Sequence, residues 1–359
     1  MPPPPLKWGL IGASDIAKTR MIPAIRSRPD STITAVLSGS ADRAKRYAAE
    51  NSIPRPYHDL DDFLQDPEID VVYISTTNEL HAPQAIAAAN AGKHILCDKP
   101  LALTLADAEA MVRIAKEKGL IFGTNHHLRN AVTHRTMRRL IKEGAIGKPL
   151  AARVFHAVYL PPRLQGWRIN RPEAGGGVIL DITVHDADTL HFLLDDDVQD
   201  VVARTAQQGL GQGDLADAVM GVMYFRNGAL AMFHDAFTIK HTQTGVEVHG
   251  IEGSLIARNV MTQDPVGEIF LSRNGAVSEV ALDEPEDLYV HSVRHFNEAV
   301  QGRGQPFATG EDGIRSLAVG LAVQESAKTG QRVPVQYSST TPGAPGSPTT
   351  PGTEHPKAQ

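Results

Sequence analysis

Lys99, Asp181 and His185 are the residues of this chain whose types and settings could move a proton. Lys99 ends the run His94-Ile95-Leu96-Cys97-Asp98-Lys99-Pro100, which is bounded by Gly92 and Pro100 and too short for a helix. That pattern predicts a strand delivering Lys99 to a cleft, because Pro100 favours extended backbone at Lys99 and open α/β sheets bind ligands beyond the carboxyl ends of their strands. Asp181 and His185 stand four apart in the segment Gly175 to Asp188, a glycine-rich lead-in to a helix. On a helix they share a face and can share a ligand, with Val178, Ile179, Ile182 and Leu190 as apolar surroundings. A charged pair so placed is costly unless satisfied or used. Proton transfer, a structural Asp/His hydrogen bond and a metal pair all remain open, although His191, the third ligand at hand, falls on a different face, so no metal is expected.

The elements that must position these groups follow from hydrophobic runs and their punctuation. Leu6 to Ile11 reads as a strand that runs into Gly12-Ala13-Ser14-Asp15-Ile16-Ala17 and a helical pattern through Ile25. This is the context of the dinucleotide fingerprint G-x-G-x-x-G/A, met at Gly12 and Ala17, with Ser14 replacing the middle glycine and either Ser14 or Asp15 available as a helix cap. A second strand, Thr32 to Leu37, leads into Ser38-Gly39-Ser40 and a helix from Ala41 to Asn51. The residue after that strand normally meets the adenosine ribose, with an acid for NAD and a base nearby for NADP. Ser38 and Arg43 favour NADP(H), whereas Asp42 either accepts from a ribose or complements the helix N-terminus. Val71 to Ile74 is a further strand, ending in the polar loop Ser75 to His81 before a helix from Ala82 to Ala91. A helix from Thr104 to Lys118 and a strand from Ile121 to Thr124 complete the alternation, which predicts a doubly wound parallel sheet.

From Ala151 strands succeed one another without helices between them, and Asn227-Gly228 is a hairpin signal. Helices are expected at Pro285 to Gln301 and Gly310 to Thr329, one returning against the first domain. The fold class is therefore α/β: an N-terminal Rossmann-type sheet in residues 1–128, then an α+β domain on a largely antiparallel open sheet in 129–337. The Ser/Thr/Pro/Gly-rich tail, 338–359, is expected to be disordered, so a cut after Gln336 is expected to be silent.

The chain has 359 residues and a net charge of -6, without a basic block, which argues against nucleic acid or an anionic membrane surface as a partner. Met1 to Leu6 lacks the basic start and apolar core of a signal peptide, and no apolar run reaches the roughly 20 residues of a membrane span. A cytoplasmic enzyme acting on a small molecule is expected. Cys97 is the single cysteine, so no intrachain disulfide or cysteine-based metal site can form, and its apolar setting predicts packing rather than catalysis.

Taken together, the turn at Gly12, the motif Asp98-Lys99-Pro100 and the Gly-Gly-Gly-x-x-x-Asp-x-x-x-His segment at Gly175 to His185 resemble the glucose-fructose oxidoreductase / inositol dehydrogenase / MocA family over residues 6 to 336. Asp98 departs from that family's usual glutamate. The resemblance implies NADPH-dependent reduction of a sugar ketone, with Lys99 and His185 catalytic and Asp181 assisting. His185 would be the general acid and Asp181 would fix its imidazole in the protonated form, with the roles of Lys99 and His185 exchangeable. It also implies cofactor contacts at Ala13 to Ile16, Ser38, Gly39, Arg43, Thr76, Thr77, Asn78, Glu79, Leu80, His81, Asp98, Lys99, Asn125, Trp167, Arg168 and Tyr289, and Gly12 and Ala17 of the fingerprint are expected to join them. The chain would be a monomer or a homo-oligomer joined through its open sheet. An NAD-linked inositol or sugar dehydrogenase is the nearer alternative, and a non-catalytic NADP-binding sensor the farther one.

Overall fold

Short apolar runs build the first sheet, as seen in a computed structural model that describes residues 4–339. β1 (Leu6–Ile11), β2 (Ser31–Leu37), β3 (Arg55–Tyr57), β4 (Val71–Ile74), β5 (His94–Cys97) and β6 (Phe122–Thr124) pair in parallel in the order β3-β2-β1-β4-β5-β6. All of β4 is buried, as a sheet covered on both faces requires. The strand order reverses between β1 and β4, which opens a crevice at their carboxyl ends. Cys97 is fully buried and burial pushes its thiol well above the ordinary range, in keeping with packing.

The helices between these strands start where short polar side chains can cap them. A π-type turn at Ala17–Met21 leads into α1 (Ile22–Arg26). Ser40 accepts from the Arg43 N–H at the start of α2 (Ala41–Glu50), α3 spans Leu60–Gln65, and Thr104 accepts from the Asp107 N–H at the start of α5 (Leu105–Glu117). α4 (Asn78–Asn90) begins four residues before the expected Ala82. Asn78 to His81 are thus its first turn rather than a loop, and the helix tolerates Pro83, which cannot donate to the Glu79 carbonyl.

The second half opens with α6 (Val132–Lys142), a helix the sequence reading did not anticipate. β7 (Pro149–Ala157), α7 (Pro162–Asn170) and α8 (Val184–Leu194) follow. β8 (Val198–Ala206), β9 (Ala218–Phe225), β10 (Leu230–Ala236), β11 (Gly245–Gly250), β12 (Ser254–Arg258), β13 (Glu268–Arg273) and β14 (Ala276–Glu279) then precede α9 (Leu288–Val300), α10 (Gly310–Thr329) and β15 (Val333–Pro334). With β7 they form a nine-stranded sheet, β14-β13-β12-β11-β7-β10-β9-β8-β15, antiparallel except where β7 meets β10. Asn227 and Gly228 turn the β9–β10 hairpin, with Asn227 Oδ1 accepting from the Ala229 N–H at 2.9 Å. α8 and α10 cover one face, and Met220, Val222, Leu230 and Met232 leave the other exposed.

Both late helices return to the first sheet. Phe296 of α9 packs against Trp8 at 5.5 Å, and Leu317 of α10 joins the cluster that holds Leu101 and Ile95. α9 starts at Leu288, after its cap Asp287. Residues 340–359 of the expected disordered tail lie outside the described residues. Tyr337 and Ser339 are within them and make contacts: the Tyr337 hydroxyl donates to the Val198 carbonyl at 2.9 Å, and the Ser339 N–H donates to Glu109. A cut after Gln336 therefore removes a packed tyrosine and is not expected to be silent. Among the described residues no helix is long and apolar enough to cross a membrane.

Candidate active site

A cleft of about 1120 Å³ runs along the carboxyl ends of β1, β2, β4 and β5 and on between the first sheet and the second. Its outer part is a backbone-lined turn. Gly12 sits at φ +114, and a Cβ there would come within 3.0 Å of the Ser75 backbone, so the close approach of the two loops needs glycine. Ser14, in place of the middle glycine, accepts from the Ala17 N–H at 3.1 Å and meets Ser75 Oγ at 2.8 Å, which settles the choice of cap on Ser14 rather than Asp15. At the end of β2, Ser38, Gly39 and Arg43 line the cleft and Asp42 does not. Arg43 reaches back to donate to the Ala13 carbonyl at 2.8 Å, which anchors its guanidinium at this end.

The residues present fit a dinucleotide. Gly12, Ala13, Ser14, Asp15 and Ile16 line the cleft where a pyrophosphate would meet backbone N–H groups. Deeper in, Asn125 Oδ1 and the Tyr289 hydroxyl are buried with no partner, and both belong to cleft-lining residues. Polar atoms so placed await a polar group. Thr76, Thr77, Asn78, Leu80, His81, Asp98, Trp167 and Arg168 also line it. The His81 ring nitrogens lie 2.9 and 3.2 Å from the carbonyls of Pro100 and Thr76, tying the loops after β5 and β4 together. Asp98 accepts from Asn125 Nδ2 at 2.8 Å; burial pushes its carboxyl up, against the pull of that bond and of Lys99. Two expected contacts are not at the surface of the cleft. Ala17 is wholly buried, and Glu79 is turned to Arg171 at 3.3 Å.

At the inner end, β5 delivers Lys99 as its pattern predicts, with a cis Lys99–Pro100 peptide. Lys99 Nζ donates to Asp181 Oδ1 at 3.2 Å and to the Asp181 backbone carbonyl. Arg168 Nε, whose guanidinium stacks on Trp167, lies 3.3 Å from the same carboxylate oxygen. Burial raises the Asp181 carboxyl, but the two cations outweigh it and bring it to about 2. Asp181 precedes α8 in a π-type turn, Ile179–Thr183, an irregularity common at functional sites. The glycines before it permit close packing. A Cβ on Gly176 would stand 2.7 Å from the Trp167 carbonyl, and Gly175 at φ +80 accepts on its carbonyl from Asn78 Nδ2 at 3.2 Å.

His185 is not held by Asp181, contrary to the spacing argument. The carboxylate is spent on Lys99 and Arg168, and the His185 Nδ1 is buried without a partner. Burial first, and then the positive charge of Lys99, holds His185 well below its ordinary range, so the ring is neutral rather than an imidazolium. Around it stand residues the sequence reading missed. His127 meets it edge-on at 4.8 Å and stacks on Tyr289 at 5.3 Å, and His156 lies 6.1 Å away. His126-His127 after β6 was visible as a polar pair, but nothing local marked it as a partner of a helix 58 positions on. Among the described residues no group of three or more His, Cys, Asp or Glu is arranged to hold a metal ion.

Comparison with known proteins agrees with this architecture. A family model for oxidoreductases with an NAD-binding Rossmann fold matches residues 6–126, and one for the GFO/IDH/MocA C-terminal domain matches residues 134–256. The chain is 56% identical over 330 residues to the 1,5-anhydro-D-fructose reductase of Ensifer adhaerens, which covers 92% of this chain and 98% of that protein. KijD10, a 3-ketoreductase from Actinomadura kijaniata solved with NADP and TDP-benzene, superposes with a TM-score of 0.80 at 26% identity, over 90% of this chain and 98% of that one. A levoglucosan dehydrogenase solved with NADH and levoglucosan superposes with a TM-score of 0.83 at 25% identity, over 92% of this chain and 99% of its own. This chain belongs to the GFO/IDH/MocA family of oxidoreductases.

Proposed function

We propose that the chain is an NADPH-dependent reductase of 1,5-anhydro-D-fructose, taking its ketone to the alcohol of 1,5-anhydro-D-mannitol. The observation that carries this reading is the convergence of Lys99, fixed by Asp181, and neutral His185 on the inner end of a cleft built for a dinucleotide. The 56% identical relative supports the choice of sugar. When bound, the nicotinamide dinucleotide supplies the hydride that the carbonyl carbon receives.

The side chains handle the oxygen. Lys99 Nζ, already oriented by the Asp181 carboxylate and carbonyl, donates to the ketone oxygen, stabilises the charge that develops there and gives up the proton that makes the alcohol. Neutral His185 cannot act as an imidazolium acid; it serves as a hydrogen-bond donor to the same oxygen through the nitrogen that is not buried. This assigns the proton to Lys99, the exchanged arrangement of the two roles. Asp181 and Arg168 keep Nζ in place.

For the cofactor, Ser38 and the anchored Arg43 favour a 2′-phosphate: both line the cleft at the end of β2, and Asp42 does not. The test is oxidation of NADPH and of NADH by the purified enzyme with 1,5-anhydro-D-fructose, other ketoses and an inosose. NADPH oxidation fastest with anhydrofructose is expected. Preference for NADH, or for an inosose, would overturn the reading.

A further inference from the structure

Behind the cleft, three buried acids and bases form a chain that the reduction itself does not use. His156, on β7, lines the cleft with its ring and is 11% exposed at its side chain. Its Nδ1 lies 2.8 Å from Asp186 Oδ1. Asp186 on α8 and Asp235 on β10 are both fully buried, and their carboxyls lie close enough to perturb each other. Thr183 donates to Asp235 Oδ2 at 2.6 Å. The oxygens left over, Asp186 Oδ2 and Asp235 Oδ1, are buried with no hydrogen-bond partner.

Proton counting fixes the rest. Two buried carboxyls that close cannot both be ionised, so the pair holds one proton. Thr183 occupies Asp235 Oδ2 and His156 occupies Asp186 Oδ1, which leaves Asp235 Oδ1 and Asp186 Oδ2 as the oxygens that can share that proton. Burial raises both carboxyls, Asp235 the more, and lowers His156 to about 4, so the ring is neutral at working pH. Asp186 is then the acceptor left for His156, and the imidazole must place its single proton on Nδ1.

We infer that His156 is a substrate-binding residue whose Nε2 accepts a hydrogen bond from a sugar hydroxyl, its tautomer fixed by the proton-sharing Asp186–Asp235 pair. This rests on the reading of the cleft as a sugar site. The cations and N–H donors at the inner end, Lys99, Arg168 and His185, suit the carbonyl oxygen. A polyol also brings hydroxyl protons, and a neutral imidazole nitrogen is an acceptor that can take one without adding charge. Asp186 and Asp235 do not line the cleft and act as positioning residues.

The test has two arms. The first is ¹⁵N NMR of the histidine-labelled enzyme with and without NADPH at pH 7, the His156 signals being assigned by their loss in His156→Gln. A neutral ring with protonated Nδ1 is expected; protonated Nε2, or an imidazolium, would overturn the inference. The second arm is kinetic. His156→Leu is expected to raise KM for 1,5-anhydro-D-fructose about tenfold, the worth of one hydrogen bond, with kcat changed less than KM and NADPH affinity unaltered. Asp235→Leu should raise KM similarly, and Asp235→Asn, whose amide N–H replaces the shared proton, should recover most of that loss. An unchanged KM in His156→Leu, or no difference between the two Asp235 variants, contradicts it. If the wild type reduces no sugar, the functional reading falls on its own, and the tautomer still decides whether the buried pair sets His156.

Discussion

Lys99 Nζ stands 3.2 Å from Asp181 Oδ1, a contact between residues 82 positions apart that joins the end of β5 to the turn before α8. It makes Asp181 the partner of the lysine rather than of His185. Asp181→Asn keeps the shape but removes the charge that aims Nζ, so kcat should fall about 10²-fold while NADPH affinity holds. With its carboxyl lowered to about 2 from 3.8, Asp181 stabilises the fold fully above the ordinary carboxylate range and loses that contribution only as pH falls toward 2. It contributes no acid limb to the rate profile near neutrality. A wild-type kcat in Asp181→Asn would contradict this.

At the other end of the cleft, Arg43 is fixed on the Ala13 carbonyl beside Ser38. Arg43→Ala should weaken NADPH about tenfold to a hundredfold, as loss of a charge-assisted contact does, and leave NADH unchanged. Ser38→Asp should weaken NADPH and improve NADH. Fluorescence titration with each cofactor checks both. Equal losses for NADPH and NADH in Arg43→Ala would mean that the guanidinium holds the turn and does not select the phosphate.

What could be read from the sequence was whatever one element carries by itself. The run ending at Lys99, the Ser38 strand end and the Asn227-Gly228 hairpin each sit in a few consecutive residues, and the structure places them accordingly. The partner of Asp181 could not be read this way, because spacing on a helix suggests His185 and only packing reveals Lys99 and Arg168. α7 was hidden by Pro161, Pro162 and Gly166, the last at φ +29 inside it. The His156, Asp186 and Asp235 chain draws on β7, α8 and β10, and the parallel pairing of β7 with β10 that adjoins its ends had no local signal.

Gly175 offers a test of how the turn is held. At φ +80, a Cβ would lie 2.5 Å from Leu103 Cδ2 and 2.8 Å from Asn78 Nδ2. Gly175→Ala combines left-handed strain with overpacking and should cost about 1–3 kcal/mol. Urea denaturation measures it, and a midpoint equal to wild type would contradict the packing described.

His134 is wholly buried, and burial holds it at about 3 against an ordinary 6.5. The unfolded chain takes up a proton below pH 6.5 that the folded chain refuses, so the stability this residue contributes is full above pH 6.5 and lost as pH falls toward 3. The stability difference between wild type and His134→Gln should therefore shift by about 2 kcal/mol in favour of the variant on going from pH 7.5 to pH 5. Chemical denaturation at the two pH values reads it. A difference independent of pH would show that His134 titrates normally in the folded protein.

The central claim is that Lys99 gives the proton to the ketone oxygen. Its most direct test is the steady-state turnover of Lys99→Met with NADPH and 1,5-anhydro-D-fructose, measured beside the NADPH dissociation constant. Turnover is expected to fall by about two to four orders of magnitude with cofactor affinity within about threefold of wild type. Turnover near that of the wild type would remove Lys99 from the chemistry and contradict the account.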